Sequence, residues 1–329
     1  MGPDTKLIVM SDMHRGDGSA SDDFVHNSVI YKCALDYYLA KGFTYIELGD
    51  GEDLWEVEAF DQIYITHTSV YDKIRRFHHP DPKLSRYIKI WGNHDENWKH
   101  NESMLGNVFE GIRVYEAAII DSGLPVRYTC LPCRRHRQAQ TGIPSRGGRA
   151  LLWHGHQADP LCSGRRASVS KFFVRHFWPR LQRFGVKDPT RAATNPGRCN
   201  EIDERLYQWV KDNDKGIDVI VAGHTHRPVY GNLSLTERKY LRSGITIDGI
   251  RKKLHPEPVY YNSGSCVHPR CITGIEITAE NGKPNFNKPW LIKLVRWGYT
   301  TRSCSDGAHT EEYNLTIKRT VLEPQSQTG

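Results

Sequence analysis

Long apolar runs are absent from this chain, and their absence limits the kind of protein it encodes. No run approaches the roughly 20 residues that a membrane-spanning helix needs. Asp12 closes the one early apolar stretch, which excludes a typical secretory signal peptide. Charged residues make up 25% of the 329 residues, and the mean hydropathy is −0.60. We therefore expect a soluble globular protein with a cytoplasmic location.

The chain also lacks a regular cysteine pattern and internal repeats. Its eight cysteines are irregularly spaced along a large chain, which favours free thiols over a disulfide framework. Cys130 and Cys133 have the spacing of a zinc-binding pair, but no second pair completes a tetrahedral set. A small disulfide-stabilised scaffold is therefore excluded.

Acidic residues are scarce in two segments, so that charge is unevenly distributed along the chain. Residues 163–198 contain nine Lys or Arg against the single acid Asp188, and residues 130–149 contain five Arg and no acid. These segments carry +8 and +5, whereas the whole chain carries only +7. The remainder is acidic, and the concentrated basic charge predicts an anionic partner.

The apolar pattern predicts an α/β protein, because strand-like runs alternate with helical stretches in the first 130 residues. We predict helices over residues 24–40 and 54–77, and a hairpin that joins residues 126–131 to 150–153. Four later runs predict a second sheet layer and a closing hairpin. They are residues 259–262, 271–277, 290–297 and 313–321.

Five short groups of metal-ligand residues are spaced along the chain, and most of them follow a strand-like run. They are Asp12-Met13-His14, Gly49-Asp50-Gly51-Glu52-Asp53, Gly92-Asn93-His94-Asp95, His154-Gly155-His156 and Gly223-His224-Thr225-His226. Open α/β sheets place their chemistry at the ends of strands. We therefore expect the five groups to meet at one site.

The residue types in these groups are ligands of divalent metal ions. Residues two apart in an extended segment point to the same side, so Asp12 and His14 can reach one ion. Asp50 can bridge two ions through its two oxygens, and Asn93 offers a neutral carbonyl oxygen. Taken singly, each group is as well explained by a turn. The ordered set of five indicates a centre for two ions.

Residues from position 12 to position 226 can share one site only if the chain between them folds as a unit. We therefore predict a single domain over residues 1–321, with a basic loop inserted at 130–149 and a basic aromatic helical lid at 161–199. Residues 322–329 have the composition of a polar, disordered tail.

The ordered groups resemble the pattern of the calcineurin-like metallophosphoesterases, which reads DxH, GDxxD, GNH followed by Asp or Glu, a separate His, and GHxH. The resemblance covers about residues 6–230. It implies a four-layer α/β sandwich, in which two packed sheets are flanked by helices. It implies one ion held by Asp12, His14, Asp50 and His226, and a second held by Asp50, Asn93, His154 and His224. Family members that read HGD in the fourth group use its first His, which favours His154 over His156.

The resemblance also implies a reaction, the hydrolysis of a phosphate mono-, di- or pyrophosphate ester by a hydroxide that bridges two metal ions. It implies that His94 protonates the leaving group while Asp53 holds the imidazole. A structural hydrogen bond is the alternative role for His94. Mixed nitrogen and oxygen ligands suit Mn, Fe, Zn, Co or Ni, and we expect activation by Mn.

In layout the chain is similar to the UDP-2,3-diacylglucosamine pyrophosphatase group, whose members place a lid over a lipid-bearing pyrophosphate. That similarity implies lipid or peripheral membrane contact through residues 169–184. The candidate substrate contacts are Arg15, His156, Arg165 and Arg166. A surface ion pair is the alternative for Arg15. The chain departs from the group in reading HGH for HGD, and in residues 130–149 and 240–320, which have no counterpart there.

Other classes stay open at this stage. Arginines interleaved with aromatic residues are also typical of single-strand nucleic-acid grooves, so a nuclease or nucleotide phosphodiesterase is one alternative. A protein-binding scaffold of the same fold without catalysis is another, although the complete ligand set argues against it. The aromatic face of the lid is equally consistent with packing onto the domain. The sequence does not indicate an oligomeric state.

Overall fold

The computed structural model describes residues 5–121, 127–129, 149–155, 196–213, 217–231, 233–234, 259–279, 290–305 and 311–322. Several predicted features lie outside these residues: the zinc-like cysteine pair, nearly all of the basic loop, most of the lid and the tail beyond residue 322. The ends of the two insertions are described. Residue 149 belongs to a strand and residues 196–199 belong to a helix. The predicted limits of the domain stay a prediction.

The first sheet contains seven strands within the described residues. They are β1 (Lys6–Met10), β2 (Thr44–Leu48), β3 (Tyr87–Ile90), β4 (Val114–Tyr115), β12 (Cys271–Ala279), β13 (Trp290–Ser305) and β14 (Glu311–Val321). Their order across the sheet is β14-β13-β12-β1-β2-β3-β4. Strands β1 to β4 are parallel, whereas β12 to β14 pair antiparallel. The carboxyl ends of β1, β2 and β3 therefore lie along one edge.

The second sheet also contains seven described strands. They are β5 (Ala117–Asp121), β6 (Arg127–Thr129), β7 (Arg149–Trp153), β8 (Val219–Ala222), β9 (Val229–Tyr230), β10 (Leu233–Ser234) and β11 (Val259–Asn262). Their order is β10-β9-β11-β8-β7-β5-β6, and β7, β8 and β11 are parallel. The carboxyl ends of β7 and β8 thus also share an edge.

Helices lie beside the sheets. The α-helices are α1 (Ser28–Ala40), α2 (Phe60–Thr66), α3 (Thr68–Arg75), α4 (Glu102–Gly106) and α5 (Pro196–Asn213), and short 3-10 turns occupy Val25–Asn27 and Glu96–Lys99. Within the described part of the chain, no helix combines the length and apolar character needed to cross a bilayer.

Alternation along the strands divides the core into three layers of side chains. In β1, Val9 packs in a cluster shared with the second sheet, whereas Ile8 packs with the residues of α1. In β8, Val221 joins the cluster between the sheets and Ile220 packs with Leu206 of α5. Because strand side chains alternate between faces, each sheet faces its partner on one side and helices on the other. The predicted architecture of two packed sheets flanked by helices is confirmed.

The prediction of one helix over residues 54–77 is wrong, because the segment forms α2 and α3 with a break at His67. The backbone of His67 has φ −109° and ψ 23°, which is not helical. Its ring is buried, and its Nε2 lies 2.7 Å from Oδ2 of Asp22. The apolar periodicity continues through this point, but the pairing of a buried imidazole with a carboxylate turns the chain.

The predicted hairpin between β6 and β7 is also wrong. Both strands pair with β5, which lies between them. The short apolar stretch of β5 was not predicted as a strand. In the structure it pairs with β6 on one side and with β7 on the other. The late strands are divided as well: β11 joins the second sheet, while β12 to β14 widen the first. The closing hairpin of β13 with β14 is confirmed.

The core between the sheets can be tested at Leu152, which is fully buried there. We expect Leu152→Ala to lower the free energy of unfolding by about 2–5 kcal/mol, because it leaves a cavity between two sheets. Val29 on α1 is 50% exposed, so Val29→Ala is the control and should change stability by less than about 0.5 kcal/mol. Urea unfolding measures both, and equal losses would contradict the assigned core.

Candidate metal centre

The five ligand groups meet where the carboxyl edges of the two sheets adjoin. In the first sheet, the amide of Asp12 donates to the carbonyl of Gly49 at 3.1 Å, and the amide of His14 donates to the carbonyl of Asp50 at 2.9 Å. Between the sheets, Asp12 Oδ1 lies 3.2 Å from His154 Nε2. The strand pairing of β1 with β2 and the packing of the sheets thus bring distant groups together.

One cluster of ligand atoms contains Asp12, His14 and His226, whose atoms lie within 4.8 Å of one another. His14 Nε2 is 3.1 Å from His226 Nε2, and His226 Nε2 is 3.4 Å from Asp12 Oδ1. Two ligands bound at about 2.1 Å and at a right angle would be about 3 Å apart. The spacing of these atoms therefore suits a metal ion.

A second cluster contains Asp50, His154 and His224, again within 4.8 Å. Asp50 Oδ2 lies 3.4 Å from His154 Nε2 and 3.8 Å from His14 Nε2, so it faces both clusters. Asp50 Oδ1 instead accepts a hydrogen bond from the His94 amide at 2.8 Å. Oδ2 is thus the oxygen directed at both clusters, whereas the sequence analysis assigned both oxygens of Asp50 to metal ions.

The polar atoms that lack partners are consistent with metal binding. Among the described residues, Asn93 Oδ1 is buried and has no hydrogen-bond partner, a property that Asn27 Oδ1 and His78 Nδ1 share away from the centre. A buried polar atom left in this way costs about 1–3 kcal/mol, and a bound ion would offset that cost at Asn93. Carboxylate oxygen, amide oxygen and imidazole nitrogen together suit divalent ions of the first transition row. The buried His and Asp groups are compatible with a dinuclear metal site.

The electrostatics of the centre also favour a cation. Burial, together with the charges of Asp12 and Asp95, raises the pKa of Asp50 well above its usual value. Burial lowers the pKa of His154 to about 4, which outweighs the opposing effect of Asp12. At neutral pH His154 is therefore a neutral imidazole with a lone pair to donate. A cation beside Asp50 would relieve the repulsion between its charge and that of Asp12.

Backbone strain is concentrated in the proposed ligands. Six described residues other than glycine have positive φ. Five of them are ligand candidates: Asp12 (55°), His14 (50°), Asp50 (51°), His224 (69°) and His226 (55°). Left-handed backbone is uncommon for residues other than glycine, although Asp and His adopt it more readily than most, and it persists where the surroundings impose it. The loops are therefore held in costly conformations that direct these side chains to one point.

Glycine precedes two of the ligands for a reason of space. A Cβ added at Gly49, which has φ +79°, would overlap the ring of His154. A Cβ added at Gly92 would overlap Oδ1 of Asp50. Sequence reasoning attributed both glycines to sharp turns. In the structure they also leave room for ligands that come from other loops.

His94 and Asp53 form a pair at the more open side of the centre. His94 Nδ1 lies 2.9 Å from Asp53 Oδ1, and the His94 side chain is 20% exposed. Burial by itself would raise the pKa of Asp53, but His94 and His14 outweigh it and hold that pKa well below its usual value. The carboxylate is therefore ionised and can accept a hydrogen bond from an N–H group of the His94 ring.

Trp55, which no sequence motif singles out, contacts the His94 side of this pair. Its ring stacks on His94 with centroids 4.3 Å apart and an angle of 16°. Its Nε1 donates to the carbonyl of Asn93 at 2.6 Å. A tryptophan two residues after Asp53 is not a signal by itself, because only the fold brings it against the imidazole.

The expectation that Arg15 contacts substrate is not supported. Its side chain is 0% exposed, and its guanidinium donates to Glu47 at 2.8 and 3.1 Å and to Glu52 at 2.5 Å. Lys89 joins the same two carboxylates from β3. Arg15 thus belongs to a buried ion network behind the metal loops. A phosphate could reach it only if that network opened.

A second supporting network holds the last ligand group. Asp203 of α5 is buried, and its oxygens accept bonds from Tyr260 at 2.7 Å, Arg227 at 2.6 Å and Thr225 at 3.3 Å. Thr225 lies between the two histidines of this group, and Arg227 follows it. Sequence reasoning missed Asp203, because a lone acid in a helix carries no signal.

Of the predicted site residues, the structure brings together Asp12, His14, Asp50, Asp53, Asn93, His94, His154, His224 and His226. His156, Arg165 and Arg166 lie outside the described residues. The fold and the site define a class, an α/β protein with buried His and Asp groups suited to two divalent ions. The roles of the individual residues stay predictions.

No protein-family model matches the chain, and no curated protein matches it. One similar solved structure is described as "Structural and Functional Characterization of a Novel Archaeal Phosphodiesterase". The two chains share 12% identity, the alignment covers 88% of this chain and 99% of that chain, and the TM-score is 0.36. A likeness at that level does not define the function of this chain, which must be argued from its own site.

The role of Gly49 can be tested against a matched glycine. Gly42 has φ +75°, close to that of Gly49, but an added Cβ there meets nothing within 4 Å. Both alanine variants should carry the same backbone strain of about 1–2 kcal/mol. We expect only Gly49→Ala to lower Mn affinity as well, because it displaces His154. Metal content after dialysis against Mn measures this, and equal content in the two variants would contradict the assignment.

Proposed function

We propose that the protein is a metal-dependent phosphoesterase of the calcineurin-like metallophosphoesterase type, with two divalent ions. The observation that supports this most is the position of Asp50, whose Oδ2 lies between the imidazoles of two His/Asp clusters. A shared carboxylate between two ligand sets is the arrangement that a pair of close ions needs.

The residues that would hold the ions form two sets. The first set is Asp12, His14, Asp50 and His226, and the second is Asp50, Asn93, His154 and His224. Each set combines anionic oxygen with neutral nitrogen, which suits Mn, Fe or Zn. A bound pair of such ions supplies a water of lowered pKa and Lewis acidity for the phosphoryl group. The positive φ of five of these residues and the short distances between their side chains support this assignment.

The proton for the leaving group would come from His94. Its Nδ1 lies against Asp53, so a proton on that nitrogen is held by the carboxylate, and Nε2 is the nitrogen available to a substrate oxygen. Stacking on Trp55 fixes the plane of the ring. These contacts support a general acid, with Asp53 as the group that orients it.

Within this class, we favour a substrate whose phosphoryl group carries further negative charge or an acyl chain. The support comes from the sequence of the predicted lid, residues 161–199, where Phe172, Phe173, Phe177 and Phe184 are interspersed with Arg and Lys. A lipid-bearing pyrophosphate of the UDP-2,3-diacylglucosamine type fits that composition. A nucleic-acid phosphodiester is the rival substrate, since its recognition uses the same residue types.

A hydrolysis panel tests the proposed function. Purified protein is loaded with Mn and assayed on a phosphomonoester, a phosphodiester and a pyrophosphate ester, with metal content measured in parallel. We expect two bound ions, hydrolysis of at least one ester class, loss of activity on chelation and recovery on addition of Mn. A protein that bound no metal and cleaved none of the three would refute the enzyme and favour a scaffold.

The role of His94 has its own test. We expect His94→Ala to lower kcat by about 10²- to 10⁴-fold, the usual contribution of a general acid, while the content of bound metal stays unchanged. His100 is an exposed histidine on the following turn, and His100→Ala is the control that should keep full activity.

The leaving group provides a further check on His94. A p-nitrophenyl ester needs little protonation when its bond breaks, so the defect of His94→Ala should be smaller on it than on an alkyl ester. Loss of metal from His94→Ala, or an equal defect on both esters, would argue against the general-acid role.

A further inference from the structure

Asp95 lies behind the loops that carry Asp50 and Asn93, and it is fully buried. Its Oδ2 accepts a hydrogen bond from the Gly51 amide at 2.9 Å, and its Oδ1 accepts one from the Gly92 amide at 2.6 Å. Gly51 directly follows Asp50, and Gly92 directly precedes Asn93. One carboxylate therefore holds two neighbouring loops, in each case beside a proposed metal ligand.

A second bond joins the same loops in the opposite direction. Asp50, on the loop after β2, accepts the His94 amide of the loop after β3 at 2.8 Å. We refer to the bond from the Gly51 amide to Asp95 and the bond from the His94 amide to Asp50 as the interloop clasp. The clasp occupies Oδ1 of Asp50 and leaves Oδ2 directed at the imidazoles of both proposed ion sites.

The loops joined by the clasp leave no room for a side chain at Gly51 or Gly92. A Cβ at Gly51 would overlap Oε1 of Glu47, and a Cβ at Gly92 would overlap Oδ1 of Asp50. Backbone and side chains are thus already in close contact on both sides. Because well-packed groups transmit displacement, a movement of either glycine would move the carboxylate of Asp50.

We propose that Asp95 is a positioning residue for the metal centre, which sets the distance between Asp50 and Asn93 through the interloop clasp and so controls metal affinity. This inference rests on the proposed function, because it concerns the binding of ions to that centre. Asp95 is 0% exposed, so it acts through the loops and touches neither ion nor substrate. Groups that orient metal ligands in this way commonly contribute about 10- to 100-fold to metal affinity.

The surroundings of Asp95 make a clean substitution feasible. Arg15 and Lys89 supply two positive charges to the buried network, and Glu47 and Glu52 already supply two negative ones. Lys89 Nζ is 3.5 Å from Asp95 Oδ2 but closer to both glutamates. Removing the charge of Asp95 therefore leaves the network balanced. We expect Asp95→Asn to fold.

The test is the affinity of Asp95→Asn for Mn. The amide of Asn keeps one acceptor oxygen but places an NH2 group against the backbone amide of either Gly51 or Gly92. One of the two hydrogen bonds that Asp95 accepts is therefore lost. We expect at least one ion to bind about 10- to 100-fold more weakly by titration calorimetry of metal-free protein. In activity assays kcat should fall at limiting Mn and recover at saturating Mn, with KM unchanged because Asp95 does not meet substrate.

A matched control separates positioning from general loss of stability. Glu276 on β12 is also a buried carboxylate, bonded to Tyr38 at 2.8 Å and to Arg319 at 2.5 and 2.7 Å, and it has no bond to the metal loops. Glu276→Gln should lower stability without changing Mn affinity. Wild-type affinity in Asp95→Asn, or an equal loss of affinity in Glu276→Gln, would overturn the proposal.

A measurement on the unmodified protein needs no variant to fold. If Asp95 holds the loops by the hydrogen bonds seen here, the amides of Gly51 and Gly92 should stay protected from hydrogen exchange after Mn is removed. Fast exchange of both in metal-free protein would overturn the proposal, since the ions would then order the loops. The outcomes are distinguishable: no metal binding by wild type refutes the proposed function, whereas two ions and hydrolysis with an unaffected Asp95→Asn refute only the positioning role.

Discussion

The site depends on one buried carboxylate, that of Asp12, because it connects the edges of both sheets. Asp12 follows β1 of the first sheet, and its Oδ1 lies 3.2 Å from His154 at the end of β7 in the second. Its oxygens also accept the amide of His224 at 3.2 and 3.0 Å, and its own amide donates to Gly49 at 3.1 Å. Three other loops thus meet at this one residue, two of them at its side chain and one at its backbone amide. The apolar layer between the sheets keeps their edges in the alignment that this contact requires.

Bringing these groups together has a cost in free energy, and the buried polar contacts around the site offset it. Buried carboxylates repel one another, and left-handed backbone at the ligand positions is unfavourable. Two sets of buried polar contacts restrain the loops against both effects. Asp95 and its neighbours hold the loops after β2 and β3, while Asp203 holds the group after β8. Both sets lie behind the ligands and restrain the loops that carry them.

Much of the architecture was predictable where local pattern and tertiary structure agree. Strands β1, β2, β3 and β8 were recognised because apolar runs ended at ligand groups. Prediction failed where a distant contact overrode the local pattern, as at His67, whose pairing with Asp22 divides a helix. It also failed for Arg15, whose position after Asp12 suggested a phosphate contact. Only the fold reveals that Glu47 and Glu52 lie within reach of its guanidinium.

The sequence by itself determined the kind of ligands, their order and the strand ends that bear them, because those depend on residue type and local periodicity. It also determined the class of chemistry that we propose. Tertiary structure alone decided which oxygen of Asp50 faces the two clusters, which ring stacks on His94 and which carboxylate holds the loops. Across the loops, those features join residues that are more than 30 positions apart, as with Trp55 and His94 at a separation of 39. No local pattern encodes such distances, since they follow from strand order and from the packing of two sheets.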